Sequence, residues 1–215
     1  MSTPEPGVIA RVAQYYTAKL EECGPTHEGV DWNSAESQEL RFAQVLRITD
    51  GLDAFSLNDV GCGYGALAHY LAADDRCADY RGFDVSESMV VQARELAPAR
   101  LHTSFTSRSE ELAPADVTVA SGIFSVKLDV PVADWEDHIR REVDRLATLG
   151  THGFAFNMLT GFAEPDRMRP DLYYADPGHW LRYCWSHHSR HVAILHDYGL
   201  WEFTLLVRAE PTARA

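Results

Sequence analysis

The stretch DVGCGYG, residues 59–65, lies between a strand pattern and a helix pattern. Residues 56–60 are predicted to form a short strand that runs into the glycines, and residues 66–72 a helix. Glycines at such a junction permit positive φ angles and let the backbone approach a ligand closely. The helix that follows offers backbone N–H groups without partners. The stretch therefore predicts a ligand-binding turn in an α/β fold.

An acidic residue stands at the end of the next predicted strand, residues 80–85. This residue, Asp84, follows Gly65 by 19 positions. A carboxylate there can accept hydrogen bonds from both hydroxyls of an adenosine ribose. A glycine loop together with an acid on the next strand predicts a cofactor that contains adenosine.

Two cofactor classes fit the glycine loop. Residues 61–66 also match the pattern G-x-G-x-x-[GA], so a dinucleotide is one alternative. Asp59, two positions before Gly61, would repel a pyrophosphate held in the loop. S-adenosylmethionine has no phosphate and carries an ammonium and a sulfonium, which a nearby carboxylate favours. The charges therefore favour S-adenosylmethionine.

Strand and helix patterns alternate along the chain after residue 56, which predicts a mostly parallel sheet with helices on both faces. The last two predicted strands, residues 191–195 and 201–207, are joined by a short turn. They must pair antiparallel, because a parallel pair needs a crossover of about a dozen residues. Before the sheet, residues 8–20 form one predicted helix, and a second begins at Asn33 or Ser34, where Glu36 would complete a capping box with Asn33.

Composition limits the partners. The 215-residue chain of 24.1 kDa has a formal net charge of −13, which makes nucleic acid and membrane surfaces poor partners. Its four cysteines are far apart, which predicts a reducing compartment and neither a disulfide framework nor a metal site. The first residues have no basic and apolar signal pattern, so we expect no secretory signal peptide and a cytoplasmic protein.

Four segments in order resemble the class I S-adenosylmethionine-dependent methyltransferases. They are LNDVGCGYG at 57–65, GFDVSESM at 82–89, ADVTVASGIF at 115–124 and GLWEFTL at 199–205. The resemblance covers residues 57–207. It implies a Rossmann-like, seven-stranded, mostly parallel sheet with an antiparallel last strand. It also implies an N-terminal helical lid, residues 1–50, ahead of a methyltransferase domain, residues 51–210.

The resemblance also implies roles for particular residues. Asp59 and the glycines face the methionine portion of the cofactor, Asp84 holds the ribose, and Val85 and Met89 pack near the adenine. Predicted cofactor contacts are Asp59, Gly61, Cys62, Gly63, Gly65, Asp84, Val85, Met89, Ser121, Gly122 and, from the lid, Arg41 and Tyr16. Predicted acceptor contacts are Phe124, Asn157, Tyr173, Tyr174 and Trp32. No metal ligand and no catalytic residue is assigned.

The expected reaction is methyl transfer to a small organic acceptor, with S-adenosylhomocysteine as product. Such an in-line transfer needs alignment and exclusion of water rather than a catalytic triad. Enzymes that methylate nucleic-acid amino groups have an Asn/Asp-Pro-Pro-aromatic motif where this chain has SGIF at 121–124. An NAD(P)-dependent oxidoreductase, a non-catalytic cofactor-binding scaffold and a protein methyltransferase remain alternatives. The acceptor atom and the oligomeric state stay open.

Overall fold

The computed structural model describes residues 7–210, which form one seven-stranded sheet. The strand order is β3-β2-β1-β4-β5-β7-β6, and β7 is antiparallel to both of its neighbours, while the other pairs are parallel. The predicted mostly parallel sheet with an antiparallel last strand is confirmed. The strands are β1 Phe55–Val60, β2 Cys77–Phe83, β3 Thr103–Thr106, β4 Ala115–Ala120, β5 Gly150–Leu159, β6 Val192–Leu195 and β7 Glu202–Arg208.

Six α-helices accompany the sheet within these residues. Two of them precede β1, and the other four connect or flank the strands. Residues at helical spacing on the fifth helix, such as Trp135, Ile139 and Val143, are buried as the sequence pattern predicts. The helices are α1 Gly7–Cys23, α2 Ala35–Val45, α3 Ala66–Leu71, α4 Glu87–Glu95, α5 Val132–Leu149 and α6 Pro177–His187.

The core has two layers, one on each face of the sheet. On one face, Trp135 of α5 and Trp180 of α6 pack against strand residues such as Phe156. On the other face, Leu67 of α3 and Val90 of α4 belong to a second apolar cluster. Since both faces are covered, the central strands β1 and β4 are buried at all but one position each. Their carboxyl ends open together at one edge of the sheet.

The capping box of α2 and the end of β2 differ from the sequence prediction. Ser34 caps α2, accepting a hydrogen bond from Ser37 N (3.1 Å), and the Ser37 hydroxyl accepts one from Ser34 N (3.3 Å). The capping box therefore begins one residue later than the predicted Asn33–Glu36 pair, because Ser34 has the extended backbone that a cap needs. Strand β2 ends at Phe83, so Asp84 lies in the turn beyond it.

Candidate functional site

A pocket of about 480 Å³ opens at the carboxyl ends of β1, β2 and β4. Its floor comes from the glycine loop after β1, the turn after β2 and the loop after β4. Helix α1 covers it with Val8, Ile9, Val12 and Tyr16. The sheet thus brings together the segments that the sequence singled out, at the place where open α/β sheets bind ligands.

The glycine loop approaches its neighbours too closely for side chains. Gly61 has a φ of +82°, and a Cβ there would lie 2.1 Å from Cγ2 of Ile123. The backbone N–H groups of Gly61 and Cys62 donate to the carbonyl of Phe83 at 2.7 and 3.0 Å, which ties the loop to the end of β2. Glycine is therefore required at position 61 for both conformation and space.

Asp84 connects the glycine loop to helix α4. Its carboxylate accepts hydrogen bonds from Gly63 N and Ser86 N, each at 2.9 Å, and Ser86 in turn caps α4. Burial raises the pKa of the Asp84 carboxyl, while these two N–H donors oppose that rise. Each carboxylate oxygen has a second lone pair, so Asp84 can still accept hydrogen bonds from a ligand.

Asp59 is a buried carboxyl at the floor of the pocket, with 3% of its surface exposed. Its Oδ2 accepts a hydrogen bond from the Tyr80 hydroxyl at 2.5 Å. Burial raises the pKa of Asp59 to about 7; the Tyr80 hydrogen bond opposes this and the nearby Asp84 adds to it. A cationic ligand group beside Asp59 would favour its charged form.

The loop after β4 presents a polar atom without a partner. Ser121 lines the pocket, and its buried hydroxyl has no hydrogen-bond partner among the described residues. Buried polar groups are nearly always paired, so this hydroxyl suits a polar group of a bound ligand. The next residue, Gly122, has a φ of +85° and donates its N–H to Asn157 Oδ1 at 2.8 Å.

Most of the predicted cofactor residues meet at this pocket. Gly65 does not line it, but is the N-cap residue of α3, with a φ of +85°. Arg41 does not line it either, because its guanidinium is paired with Glu202. The predicted residues in the wall are Tyr16, Trp32, Asp59, Gly61, Cys62, Gly63, Asp84, Val85, Met89, Ser121 and Gly122.

Two residues predicted to contact the acceptor are buried behind the pocket wall. Phe124 is fully buried, with its ring against Phe156 at 5.6 Å, so it is a core residue rather than an acceptor contact. Asn157 is buried as well and uses both ends of its amide, accepting from Gly122 N and donating to Glu202. Neither side chain lines the pocket.

Tyr173 and Tyr174 are also placed away from the pocket. The Tyr173 hydroxyl donates to Glu136 at 2.9 Å and accepts from Trp180 Nε1 at 3.2 Å, so it joins α5 to α6. The Tyr174 hydroxyl accepts a hydrogen bond from Arg169 N at 3.0 Å. Neither residue lines the pocket. The segment that carries them pairs with the loop after β4, where Tyr173 N donates to the carbonyl of Ser125 at 2.8 Å.

The pocket also has a wall that the sequence analysis missed. It comes from the loop after β3 and from α5, where His138, Glu142 and Arg145 follow one another at helical spacing beside the buried stripe. Burial lowers the pKa of His138, and Arg145 pairs with Glu142 at 3.2 Å. The sequence signal that could have revealed this wall is the helical spacing of these three polar residues beside the buried stripe of α5. The loop residues in this wall are Ser107, Arg108, Ser109 and Glu110.

Comparison with known proteins gives matches at three levels. Residues 58–150 match the family model described as a methyltransferase domain. The chain is 45% identical over 163 residues to "Putative methyltransferase Rv1506c" of Mycobacterium tuberculosis, covering 76% of this chain and 98% of that protein. The glycine loop, Asp84 and the loop after β4 all fall within the matched domain.

Solved structures share the fold at low sequence identity. Magnesium protoporphyrin IX methyltransferase (ChlM) from Synechocystis PCC 6803, solved with bound SAH, is 15% identical with a TM-score of 0.63. The match covers 94% of this chain and 99% of that one. The DhpI–SAH complex is 13% identical with a TM-score of 0.64, covering 97% of this chain and 100% of that one. Among residues 7–210, no helix combines the length and apolarity needed to cross a membrane.

Proposed function

The chain belongs to the class I methyltransferases, and on that premise we propose that it transfers the methyl group of S-adenosylmethionine to a small organic acceptor. The observation that carries the proposal is the pair of buried carboxylates, Asp59 and Asp84, on either side of the glycine loop. When bound, the cofactor supplies a methyl group that its sulfonium already activates. Solved structures of the same fold with bound SAM or SAH support the choice of cofactor.

The pocket residues suit the separate parts of that cofactor. The Asp59 carboxylate can stabilise a positively charged group of the cofactor. Asp84 can still accept hydrogen bonds from the ribose hydroxyls. Val85 and Met89 offer an apolar surface near Asp84 for the adenine. The unpaired Ser121 hydroxyl provides a further polar contact. A pyrophosphate fits less well, because Asp59 and Asp84 both lie in the wall beside the glycine loop.

In this proposal the segment predicted as a lid, residues 1–50, covers the methyltransferase domain, residues 51–210; its first six residues lie outside the described part of the chain. Helix α1 lies across the pocket, and its Thr17 hydroxyl forms a hydrogen bond with the Ser86 hydroxyl at 2.8 Å. Arg11 of α1 pairs with Asp129 in the segment before α5. These contacts hold α1 over the pocket, which excludes water and keeps the reacting groups aligned.

A small acceptor with an apolar body fits the remaining wall. Val8, Val12, Tyr16 and Trp32 line the covered side of the pocket. Such a surface binds an apolar molecule, and the covering helix limits its size. The acidic charge of −13 works against a polyanionic acceptor. His138 is a candidate base where the acceptor arrives protonated, because its lowered pKa keeps it neutral near pH 7.

Ligand binding tests the proposal directly. We expect S-adenosylmethionine and S-adenosylhomocysteine to raise the midpoint of thermal unfolding. At ~100 times its dissociation constant, a ligand stabilises the folded protein by about 2.7 kcal/mol. NADH and NADPH are the controls and should leave the midpoint unchanged. A shift with the nicotinamide compounds alone would overturn the proposal in favour of an oxidoreductase. Binding without turnover across a broad acceptor screen would favour a non-catalytic scaffold.

The affinity for S-adenosylhomocysteine should increase with pH through the range in which Asp59 ionises. The pKa of Asp59 is about 7, above its ordinary value of 3.8, and a ligand ammonium stabilises only the ionised form. Below about pH 7 we expect the dissociation constant to rise by up to about tenfold per pH unit, or ~1.4 kcal/mol. Isothermal titration calorimetry between about pH 5.5 and 7.5 measures this directly.

Calorimetry is preferred to thermal unfolding because the stability of the ligand-free protein itself depends on pH. A carboxyl whose pKa is raised on folding holds its proton longer in the native state, so stability falls as pH rises from about 4 to 7. Asp59→Asn is the control, since it keeps the side-chain shape without the charge. It should bind more weakly at neutral pH and with a flat profile. A flat profile in the wild-type protein would contradict the role of Asp59.

A further inference from the structure

A buried ion pair lies next to the pocket and has no part in the proposed chemistry. Arg41 and Glu202 are 5% and 2% exposed. Nε of Arg41 lies 2.8 Å from both carboxylate oxygens, and its Nη2 lies 2.5 Å from Oε1. Its Nη1 donates to the carbonyl of Ser37 at 2.7 Å. All three guanidinium nitrogens are therefore committed to protein partners.

The free face of the guanidinium supports a wall of the pocket. Cζ of Arg41 lies 3.9 Å from the centroid of the Trp32 ring, which is stacking distance. Trp32 lies against Gly122, where a Cβ would come within 2.4 Å of the indole. Trp32 and Gly122 both line the pocket, whereas Arg41 does not. Trp32 is therefore the pocket residue on which the Arg41 guanidinium stacks directly.

The same ion pair also reaches Gly122 from behind. Glu202 accepts a hydrogen bond from Asn157 Nδ2 at 2.8 Å, and Asn157 Oδ1 accepts one from Gly122 N at 2.8 Å. Gly122 is therefore held on one side by the indole of Trp32 and on the other by the amide of Asn157. Both supports originate in a single pair of buried charges.

We propose that Arg41 is a positioning residue, which holds Trp32 against Gly122 and so sets the shape of the pocket next to the cofactor. The inference rests on the proposed function. Arginine suits the role because its planar guanidinium stacks and pairs at the same time, which a lysine ammonium does not do. An apolar contact between α2 and β7 would be enough for folding. A role in positioning Trp32 explains why a buried ion pair joins them instead.

A double-mutant cycle tests the proposal, with S-adenosylhomocysteine as the probe and calorimetry as the readout. The variants are Arg41→Lys, Trp32→Ala and the two combined. Arg41→Lys keeps the charge opposite Glu202 but removes the stacking surface. We expect it to weaken binding by about threefold to thirtyfold, the range between an exposed and a desolvated cation–π contact. We expect Trp32→Ala to lose at least as much.

Non-additivity distinguishes positioning from a structural role. If Arg41 acts through Trp32, the combined variant binds as Trp32→Ala does, whereas independent effects add. Denaturant unfolding of each variant checks the fold, and Arg41→Met/Glu202→Gln replaces Arg41→Lys in the cycle where the lysine variant does not fold. Wild-type affinity in Arg41→Lys, or additive losses, would overturn the inference. Failure of the wild-type protein to bind the probe would overturn the proposed function instead.

Discussion

Asp84→Ala is expected to raise the dissociation constant for S-adenosylhomocysteine by at least about 100-fold. Hydrogen bonds to a charged group contribute about 1.5–3 kcal/mol each, and a ribose offers two hydroxyls to this carboxylate. The loss of both amounts to about 3–6 kcal/mol, or roughly 100- to 10,000-fold in affinity. Calorimetry at neutral pH measures it.

The substitution acts on the loop as well as on the ligand. Gly63 N and Ser86 N both donate to Asp84, so its removal leaves two backbone donors unpaired at the floor of the pocket. Such donors cost about 1–3 kcal/mol each when they stay buried. Circular dichroism and thermal unfolding must therefore accompany the titration, to show that the loss of affinity occurs in a folded protein.

Two further variants make the Asp84 result specific. Asp84→Asn keeps one acceptor oxygen and should fall between the wild-type protein and Asp84→Ala. Glu87→Ala removes an exposed carboxylate three residues later and should leave the affinity nearly unchanged, since its side chain is 61% exposed. Equal affinity in Asp84→Ala and the wild-type protein would refute the assignment of Asp84 to the ribose.

The part of the site near the glycine loop was predictable because its determinants are local. A strand, three glycines and a helix follow one another in residues 56–72, and Asp84 comes directly after the next strand. Adjacent parallel strands carry their ends to the same edge of the sheet, so sequence order alone brings these segments together. The same reasoning predicted the fold, including the antiparallel pairing of the last two strands.

The wall from α5 and the network behind Gly122 were not predictable in this way. His138 and Glu142 lie beside the buried stripe of α5, and only the packing of that helix on the sheet shows that they reach the pocket. Arg41 and Glu202 are 161 residues apart. Their pairing depends on the position of α2 over β5 and β7, which local patterns do not encode. Arg41 was therefore predicted to contact the cofactor, and Asn157 the acceptor.

Glu202→Gln is expected to destabilise the protein by about 3–5 kcal/mol, because it leaves the Arg41 charge buried without a counter-charge. The glutamine oxygen can still accept hydrogen bonds from Arg41 and Asn157, so the substitution removes charge with little change of shape. At about 2–4 °C per kcal/mol for a chain of this size, the thermal midpoint should fall by roughly 10 °C. Differential scanning calorimetry or urea unfolding provides the measurement.

The double variant Arg41→Met/Glu202→Gln removes both charges of the ion pair while keeping side chains of similar volume. Replacing a buried ion pair by uncharged groups of similar volume is often neutral for stability, so the double variant should recover most of the loss. That recovery would mean that the ion pair is unnecessary for folding. Its remaining role would then be the one proposed above, in which Arg41 positions Trp32 in the pocket wall. A double variant as unstable as Glu202→Gln would instead assign the pair a structural role, since the hydrogen bonds of Arg41 would then stabilise the fold independently of its charge.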